Sequence, residues 1–248
     1  MVRTVDKTYS NLLEAIKHEP PSFADKKIKK WDKDLTFITS SFMKEHYWNS
    51  HASINVFRVV GTKHPDYAGL TWGEFIKSGK RMHINIPLHT SNPGYYYETT
   101  IKEPKMFFLS LDGGDLFIGD DGNHRTAIAM FELYYKRVNT IHGVSLDEYK
   151  VDWELKKQYE ELVDIVAHKK LPYVIKPCQK CISREDTAGW KMDRFENKLS
   201  LRDVQTGKES LLDYAQVIEL KDSIGASKFL KLLGLKKTNG GNHYAKAK

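Results

Sequence analysis

Ionisable side chains gather where an apolar strand pattern gives way to a helix pattern, in the stretch FIGDDGNHRTAIAMFELYY (Phe117–Tyr135). The first four N–H groups of a helix have no intrahelical partner, and the helix dipole adds partial positive charge there. A strand, a glycine-containing loop and a helix start therefore form a ready anion site. The spacing predicts that this turn holds a phosphate group.

The loop residues supply the functional groups that phosphate chemistry needs. Gly122 lets a bound group approach the backbone closely, and the Arg125 guanidinium can bind phosphate through two hydrogen bonds. His124 can donate a hydrogen bond or act as an acid or base near neutral pH. The predicted phosphate-binding residues are Gly122, Asn123, His124, Arg125 and Thr126, and the predicted catalytic residues are Asp121, His124 and Arg125.

Two carboxylates stand directly before these cationic groups. Asp120 and Asp121 could hold a divalent cation, with Mg²⁺ as the expected ion, or could orient the neighbouring imidazole and guanidinium. Glu98 and Glu103 lie further upstream and are weaker candidates for a general base. The alternative is purely structural, with Asp121 as the helix N-cap and Arg125 as its surface ion-pair partner.

The composition is that of a folded protein with a basic surface. The chain has 248 residues, of which 40% are hydrophobic and 12% aromatic, so it can bury a core. No run of eighteen apolar residues and no secretory signal pattern is present. Only two cysteines occur, which favours a cytoplasmic location over an oxidising compartment.

The net charge of +7 favours phosphate-bearing partners, either nucleotides or DNA. No acid occurs from Ser223 to the end, and the last residues, KKTNGGNHYAKAK, predict a flexible basic tail. A second basic stretch, DKKIKKWDK, lies near the start. Both stretches could contact a nucleic-acid backbone, and both could equally be solvated ends.

The central part of the chain has clear secondary-structure patterns. KMFFLSL and DLFIGD predict two short strands, and a helix is expected from Arg125 to about Lys136. TIHGVSLDEYKVD favours a strand, although Ser145 and Glu148 also fit a capping box. WELKKQYEELVDIVAHKK predicts an amphipathic helix.

The flanking segments are predicted from the same kinds of pattern. YSNLLEAIKHE predicts a short helix, Ser53–Val60 a strand, and Thr71 with Glu74 a capping box that starts another helix. The alternation in MHINIPL predicts a strand. Beyond Leu171, LPYVIKPCQKC and WKMDRFENKLSLRDV predict strands, whereas KESLLDYAQVIELKD and SKFLKLLGL predict helices.

This mixture of elements predicts an α+β (mixed α/β) fold with four segments. They are an N-terminal helical arm (1–34), a core (35–170), a C-terminal α/β extension (171–235) and the basic flexible tail (236–248).

Two further clusters each allow two interpretations. The three tyrosines at 95–97 could stack on nucleic-acid bases or alternate between buried and exposed positions, which is the commoner arrangement. Cys178 and Cys181 form half of a zinc site that His142 or His168 could complete, but two ordinary reduced thiols are favoured.

The stretch DGNHRTAIA resembles the signature of the ParB/sulfiredoxin superfamily, in which a Gly-x-x-Arg element opens a helix and binds nucleotide phosphate. Gly122 and Arg125 match its fixed positions, and Ala129 matches its small helical residue. The His124–Arg125 pair resembles the sulfiredoxin version, but Asn123 stands where the sulfiredoxin cysteine would be. Sulfinic acid reduction is therefore not expected.

Within that superfamily the box is most similar to the plasmid fertility-inhibition proteins (the Osa and FiwA group), over about residues 82–170. The resemblance implies a ParB/sulfiredoxin-like core, ATP hydrolysis and DNA cleavage. It also implies a block of conjugative DNA transfer through a type IV secretion system. Two alternatives stay open: a non-catalytic nucleotide- or DNA-binding module acting through protein partners, and an ADP- or ATP-dependent kinase.

Overall fold

The computed structural model describes residues 11–225, and seven α-helices and nine strands lie within that range. The helices are α1 (Leu12–His18), α2 (Lys33–Ser41), α3 (Trp72–Ser78), α4 (Met82–Ser91), α5 (Asn123–Tyr135), α6 (Trp153–His168) and α7 (Tyr214–Gly225). The strands are β1 (Lys29–Lys30), β2 (Met43–Asn55), β3 (Val59–Thr62), β4 (Phe107–Leu111), β5 (Leu116–Ile118), β6 (Thr140–Val151), β7 (Tyr173–Asp186), β8 (Trp190–Asp203) and β9 (Glu209–Leu212). The predicted α+β class is confirmed.

None of the helices in this range has the length and apolar character that crossing a membrane requires.

The chain divides into two compact units. Within residues 11–225, the first contains residues 11–151 together with Lys180–Glu196, and the second contains Asp152–Gln179 and residues 197–225. The boundaries of these units are not those of the four predicted segments. The first unit includes Lys180–Glu196, which contains the end of β7, the following turn and the start of β8.

The sheet of the first unit has the strand order β1-β3-β5-β4-β6-β2. β3 pairs with β5 and β4 pairs with β6 in parallel, while β4 and β5 form an antiparallel hairpin. β2 pairs antiparallel with β6 and with the start of β8, at Trp190–Arg194. Helix α5 connects β5 to β6, so its first turn follows directly from the end of a buried strand.

Helix α5 is buried along nearly its whole length, which fixes its position. Its residues Ala127, Ile128, Ala129, Met130, Phe131 and Leu133 have at most 1% of their surface exposed. The ring of Phe131 packs 5.0 Å from that of Phe23. Complete burial of a large apolar side chain contributes roughly 1.5–3 kcal/mol, so several such residues hold this helix firmly.

The second unit contains α6, α7, β9 and parts of β7 and β8. The helix predicted from WELKKQYEELVDIVAHKK is confirmed, with the Asp152 side chain accepting a hydrogen bond from Leu155 N at its start. Leu155, Leu162 and Val166 are the buried residues of α6. Lys221 of α7 donates a hydrogen bond to Gln158 of α6.

Several predicted elements are confirmed. The strands KMFFLSL and DLFIGD, the strand over TIHGVSLDEYKVD and the helix after Gly122 all form. The capping box that starts α3 forms in full, since Thr71 Oγ1 accepts from Glu74 N and Thr71 N donates to the Glu74 carboxylate. The alternative capping box at Ser145 and Glu148 is wrong, because both residues lie within β6.

Three predicted elements are wrong in type or extent. The strand predicted at Ser53–Val60 is interrupted by a 3₁₀ turn, Val56–Arg58, between the end of β2 and the start of β3. The helix predicted from KESLLDYAQVIELKD is a strand, β9, followed by α7. The predicted helix SKFLKLLGL and the basic tail lie outside the described residues.

The third error concerns α4, which was predicted as a strand. MHINIPL alternates apolar and polar residues, but it forms a helix whose buried residues are Met82 and His89, two turns apart. Ile84 and Leu88 are instead 50% and 59% exposed. Pro87 lies inside the helix, so local propensity opposed this conformation and packing beside α5 decided it.

We expect Gly143→Ala to destabilise the protein by about 1–3 kcal/mol, because the glycine has a φ of +68° and a Cβ there would lie 1.8 Å from Thr100 O. Urea unfolding followed by circular dichroism measures the effect. The matched control is Gly189→Ala, since no atom lies within 4 Å of a Cβ at that position. Equal stability of the two variants would contradict the steric explanation.

Candidate functional site

The first turn of α5 begins at a glycine in the left-handed conformation. Gly122 has a φ of +108°, and no side chain caps the helix. Asp121 is therefore not the N-cap, contrary to the structural alternative; its Oδ1 instead accepts a hydrogen bond from Gly122 N, at 2.6 Å. A Cβ at Gly122 would also lie 3.2 Å from that of Met106, so a side chain there would be strained in its backbone conformation and tightly packed.

A cavity of about 390 Å³ opens beside this turn, and we call it the α4–α5 cleft. Its walls come from α4 and the residues that follow it, from the Glu103–Pro104 segment, and from the start of α5. Asp121, Gly122, His124 and Arg125 all line it. Three of the five predicted phosphate-binding residues, together with Asp121, which was predicted as a catalytic and metal-binding residue, thus line one cavity.

Arg125 is held by three partners at the edge of the cleft. Its guanidinium donates to Tyr95 Oη at 3.0 Å, to Pro104 O, and to Asp121 Oδ2 at 2.7 Å. The side chain is only 13% exposed. Burial acts to lower the pKa of Arg125, but Tyr95 and Asp121 outweigh this effect and the pKa lies above its ordinary value. The guanidinium is therefore a fixed, permanent positive charge.

His124 is partly buried among aromatic rings at the start of α5. Its ring packs edge-on to Tyr67 at 5.2 Å and lies 5.3 Å from Phe75. Its Nε2 lies 3.4 Å from the backbone nitrogen of Arg81. Burial lowers the pKa of His124, and the nearby Arg81 lowers it further. With Nε2 as the acceptor, the neutral ring carries its proton on Nδ1, so His124 is a hydrogen-bond donor at neutral pH.

Three of the predicted residues do not line the cleft. The Asn123 side chain is buried and accepts a hydrogen bond from Thr62 Oγ1, at 2.6 Å. Thr126 is fully buried. Asp120 is highly exposed and forms an ion pair with Lys63, at 3.0 Å. The side chains of these three residues are therefore not placed to bind a phosphate in the cleft, and the Thr126 N–H already donates to Gly122 O.

The charges around the cleft are balanced. Arg81 and Arg125 are positive, and Asp121 and Glu103 are negative. Burial is the largest cause of the raised pKa of the Tyr95 hydroxyl. The nearby carboxylates of Asp121 and Glu103 raise this pKa further. Within residues 11–225, no group of three or more His, Cys, Asp or Glu side chains converges as a preformed metal site.

The remaining candidate residues are dispersed. Glu103 lines the cleft, whereas Glu98 does not line it and accepts a hydrogen bond from Lys102 Nζ through its backbone carbonyl. Cys178 and Cys181 are exposed free thiols three residues apart on β7, so they point to opposite faces of the strand. The half zinc site is not supported by that geometry.

The sequence interpretation missed the α4 side of the cleft. Arg81, Asn85, His89 and Asn92 line the cavity, and Tyr95 and Tyr96 follow them. These positions are spaced four, four and three residues apart, which is the spacing of one helical face. Had the segment been interpreted as a helix, this polar stripe would have been visible.

Comparison with known proteins adds no relatives: no protein-family model, curated protein or solved structure matches this chain.

We expect His124 to titrate below the ordinary histidine value of about 6.5 in an NMR pH titration of the folded protein. The contribution of this histidine to stability is then complete above that value and is lost as the pH falls through the lowered pKa. Arg81→Gln should move the midpoint partly back up, because it removes a neighbouring positive charge. An unchanged midpoint in this variant would contradict the assigned influence of Arg81.

Proposed function

We propose that the protein binds a nucleoside triphosphate such as ATP in the α4–α5 cleft and hydrolyses it. The observation that carries this proposal is the convergence of Arg81, Arg125 and the uncapped start of α5 on one cavity of about 390 Å³. Ligand pockets in proteins commonly measure about 300–1,000 Å³, so the cleft has a suitable size. Fixed N–H groups beside arginines are the usual phosphate-binding arrangement.

The balanced charge of the cleft favours a nucleotide that arrives with a divalent cation. A phosphate without a metal ion would be repelled by the Asp121 carboxylate, which already accepts a hydrogen bond from the Arg125 guanidinium. The Asp121 side chain is 60% exposed, so its release from the guanidinium would disturb no core packing, although it would also have to break the hydrogen bond from Gly122 N. Asp121, with Glu103 nearby, would hold Mg²⁺, and the ion would neutralise phosphate charge as Mg²⁺ commonly does with one or two carboxylates.

The protein's own groups then have distinct roles in hydrolysis. Arg125, once released by Asp121, would bind phosphate oxygens while Tyr95 and Pro104 hold its guanidinium in position. His124 would donate its Nδ1 hydrogen to a phosphate oxygen. The start of α5 would offer backbone N–H groups to developing negative charge, which is the preorganised stabilisation that phosphoryl transfer depends on.

The wider biological role rests on the resemblance of DGNHRTAIA to the plasmid fertility-inhibition group. On that basis we propose that the protein also cleaves DNA and that it blocks conjugative transfer through a type IV secretion system. The net charge of +7 supports a DNA-binding partner.

A specific observation favours a second candidate, a non-catalytic nucleotide-binding module. Arg125 has three hydrogen-bond partners, and the Nε2 atom of His124 lies near a backbone N–H. A site whose groups are already satisfied can bind a ligand without promoting chemistry. Both candidates predict nucleotide binding, so a measurement of nucleotide hydrolysis, and not of affinity, distinguishes them.

We expect Arg125→Ala to weaken ATP binding by roughly 10- to 100-fold, which corresponds to the loss of a charge-assisted hydrogen bond. Isothermal titration calorimetry with Mg²⁺ measures the affinity, and phosphate release measures turnover. The matched control is Lys150→Ala, which removes a cation paired with Glu45 outside the cleft. Equal loss in both variants would mean that net charge, and not the cleft, binds the nucleotide.

Asp121→Asn separates the two roles of that carboxylate. If Asp121 holds Mg²⁺, this variant loses Mg²⁺-dependent turnover but binds ATP more tightly when the metal is removed by a chelator, because a repulsive charge has gone. If the wild-type protein binds ATP but releases no measurable phosphate, the result would support the non-catalytic module. Phosphate found on an amino acid or protein acceptor would indicate a kinase.

For DNA cleavage, we expect the wild-type protein to nick supercoiled plasmid DNA with Mg²⁺, and His124→Ala to reduce the initial rate at least tenfold. The expected loss follows from the removal of a positioned proton donor. Lys150→Ala again serves as the control. Salt-sensitive DNA binding with no nicking by the wild-type protein would overturn the proposed nuclease activity.

A further inference from the structure

The second unit has a groove of its own, which shares no residue with the α4–α5 cleft. A cavity of about 480 Å³ lies against strands β7, β8 and β9, and we call it the β7–β9 groove. All of its lining residues belong to the second unit. They are Val174, Lys176, Ser200, Arg202, Val204 and Glu209.

The alternation of side chains along β8 separates the groove from the core. The lining residues on β8 are two positions apart, so they share one face of the strand. The intervening Leu199 and Leu201 point to the opposite face and are 0% and 4% exposed. Five of the six lining residues are exposed, so the groove is a shallow depression on the solvent side of these strands.

Two cations in the groove have no side-chain partner. Within residues 11–225, Lys176 and Arg202 form no side-chain hydrogen bond and no ion pair, and both are exposed. Glu209 lies opposite Arg202 in the pairing of β8 with β9. Its carboxylate instead accepts a hydrogen bond from the hydroxyl of Ser200, which is 8% exposed. The groove therefore contains two unpaired cations and one carboxylate that is already bound.

Apolar surface lies beside these charges. Val174 and Val204 line the groove and are 41% and 62% exposed. Leu211, which lies opposite Ser200 in the pairing of β8 with β9, is 54% exposed. Burial of such surface by a bound molecule is favourable. An occupant that satisfies the groove therefore combines negative groups with apolar ones.

This combination favours a segment of protein over other occupants. A DNA backbone gains from many cations and would be repelled by the Glu209 carboxylate, and its phosphates would leave the valines uncovered. A shallow groove suits an extended chain better than a compact small molecule, which binds where most of its surface is enclosed. The C-terminal segment of this chain offers no carboxylate side chain, since no Asp or Glu follows Asp222.

We propose that the β7–β9 groove binds an extended segment of a partner protein that carries carboxylate side chains next to apolar ones. Lys176 and Arg202 would pair with the carboxylates, and Val174 and Val204 would pack against the apolar side chains. The inference goes beyond the proposed nucleotide binding and does not depend on it, because the groove and the α4–α5 cleft have no residue in common.

The probe is a fluorescein-labelled peptide with the sequence Glu-Ser-Val-Ser-Glu-Ser-Val. Alternate side chains of an extended chain point the same way, so its glutamates and valines share one face. Two companion peptides carry glutamine or lysine in place of glutamate. We expect the wild-type protein to bind the glutamate peptide roughly 5- to 30-fold more tightly than the glutamine peptide, as two exposed charge pairs allow. Fluorescence anisotropy measures the affinities, and added salt should reduce the preference.

Substitutions in the groove test the assignment directly. The double variant Lys176→Gln with Arg202→Gln should bind the glutamate peptide as weakly as the wild-type protein binds the glutamine peptide. The charge-reversed variant, Lys176→Glu with Arg202→Glu, should prefer the lysine peptide, a gain that misfolding would not produce. The matched control is Lys77→Gln with Lys150→Gln, which removes two exposed cations outside the groove and should keep the wild-type preference.

Thermal unfolding by circular dichroism shows that each variant is folded before affinities are compared. Equal wild-type affinity for the glutamate and glutamine peptides overturns the proposal, and so does an equal loss of binding in the control variant. A short DNA duplex that binds the wild-type and control proteins but not the groove variant would assign the groove to nucleic acid instead. A dimer seen by analytical ultracentrifugation and lost only in the groove variant would assign it to a second copy of this chain. Either result would also overturn the proposed partner.

Discussion

The candidate site depends on one backbone constraint, the left-handed Gly122 between β5 and α5. The strand before it is fully buried in the sheet, and the helix after it is buried along nearly its whole length. Neither element can shift without opening the core, so the first turn of α5 is held in place from both sides. The direction of its backbone N–H groups, and of the Arg125 and His124 side chains, follows from that fixed start.

Arg125 turns this local constraint into a connected site. Its guanidinium joins the β5–α5 loop through Asp121, the 3₁₀ segment after α4 through Tyr95, and the Glu103–Pro104 segment through a backbone carbonyl. Three stretches that are distant in sequence therefore share one buried cation. The same bonds make Asp121 a competitor of any anionic ligand, because a carboxylate and a phosphate require the same guanidinium edge. In the proposed function, ligand binding would therefore depend on the position of this one exposed aspartate.

The cleft is chemically mixed because α4, the residues that follow it and α5 all contribute to its wall. Two arginines and His124 line it together with the amide side chains of Asn85 and Asn92 and the rings of Tyr95 and Tyr96. In the proposed function, the arginines would face phosphate groups, and the amides and rings would face the remainder of the nucleotide.

The sequence by itself determined the strand, glycine loop and helix around Gly122, since this pattern is local: β-branched and apolar residues, then glycine, then helical periodicity. It also determined the α+β class and helices α3 and α6, whose caps are encoded within a few residues. Only the tertiary structure decided that MHINIPL is a helix, because packing against α5 outweighed both its alternation and Pro87. Tertiary structure likewise decided that Asn123 hydrogen-bonds to Thr62, that Asp120 pairs with Lys63, and that His89 lies beside Glu132. Such pairings join residues far apart in the chain, and no local pattern records them.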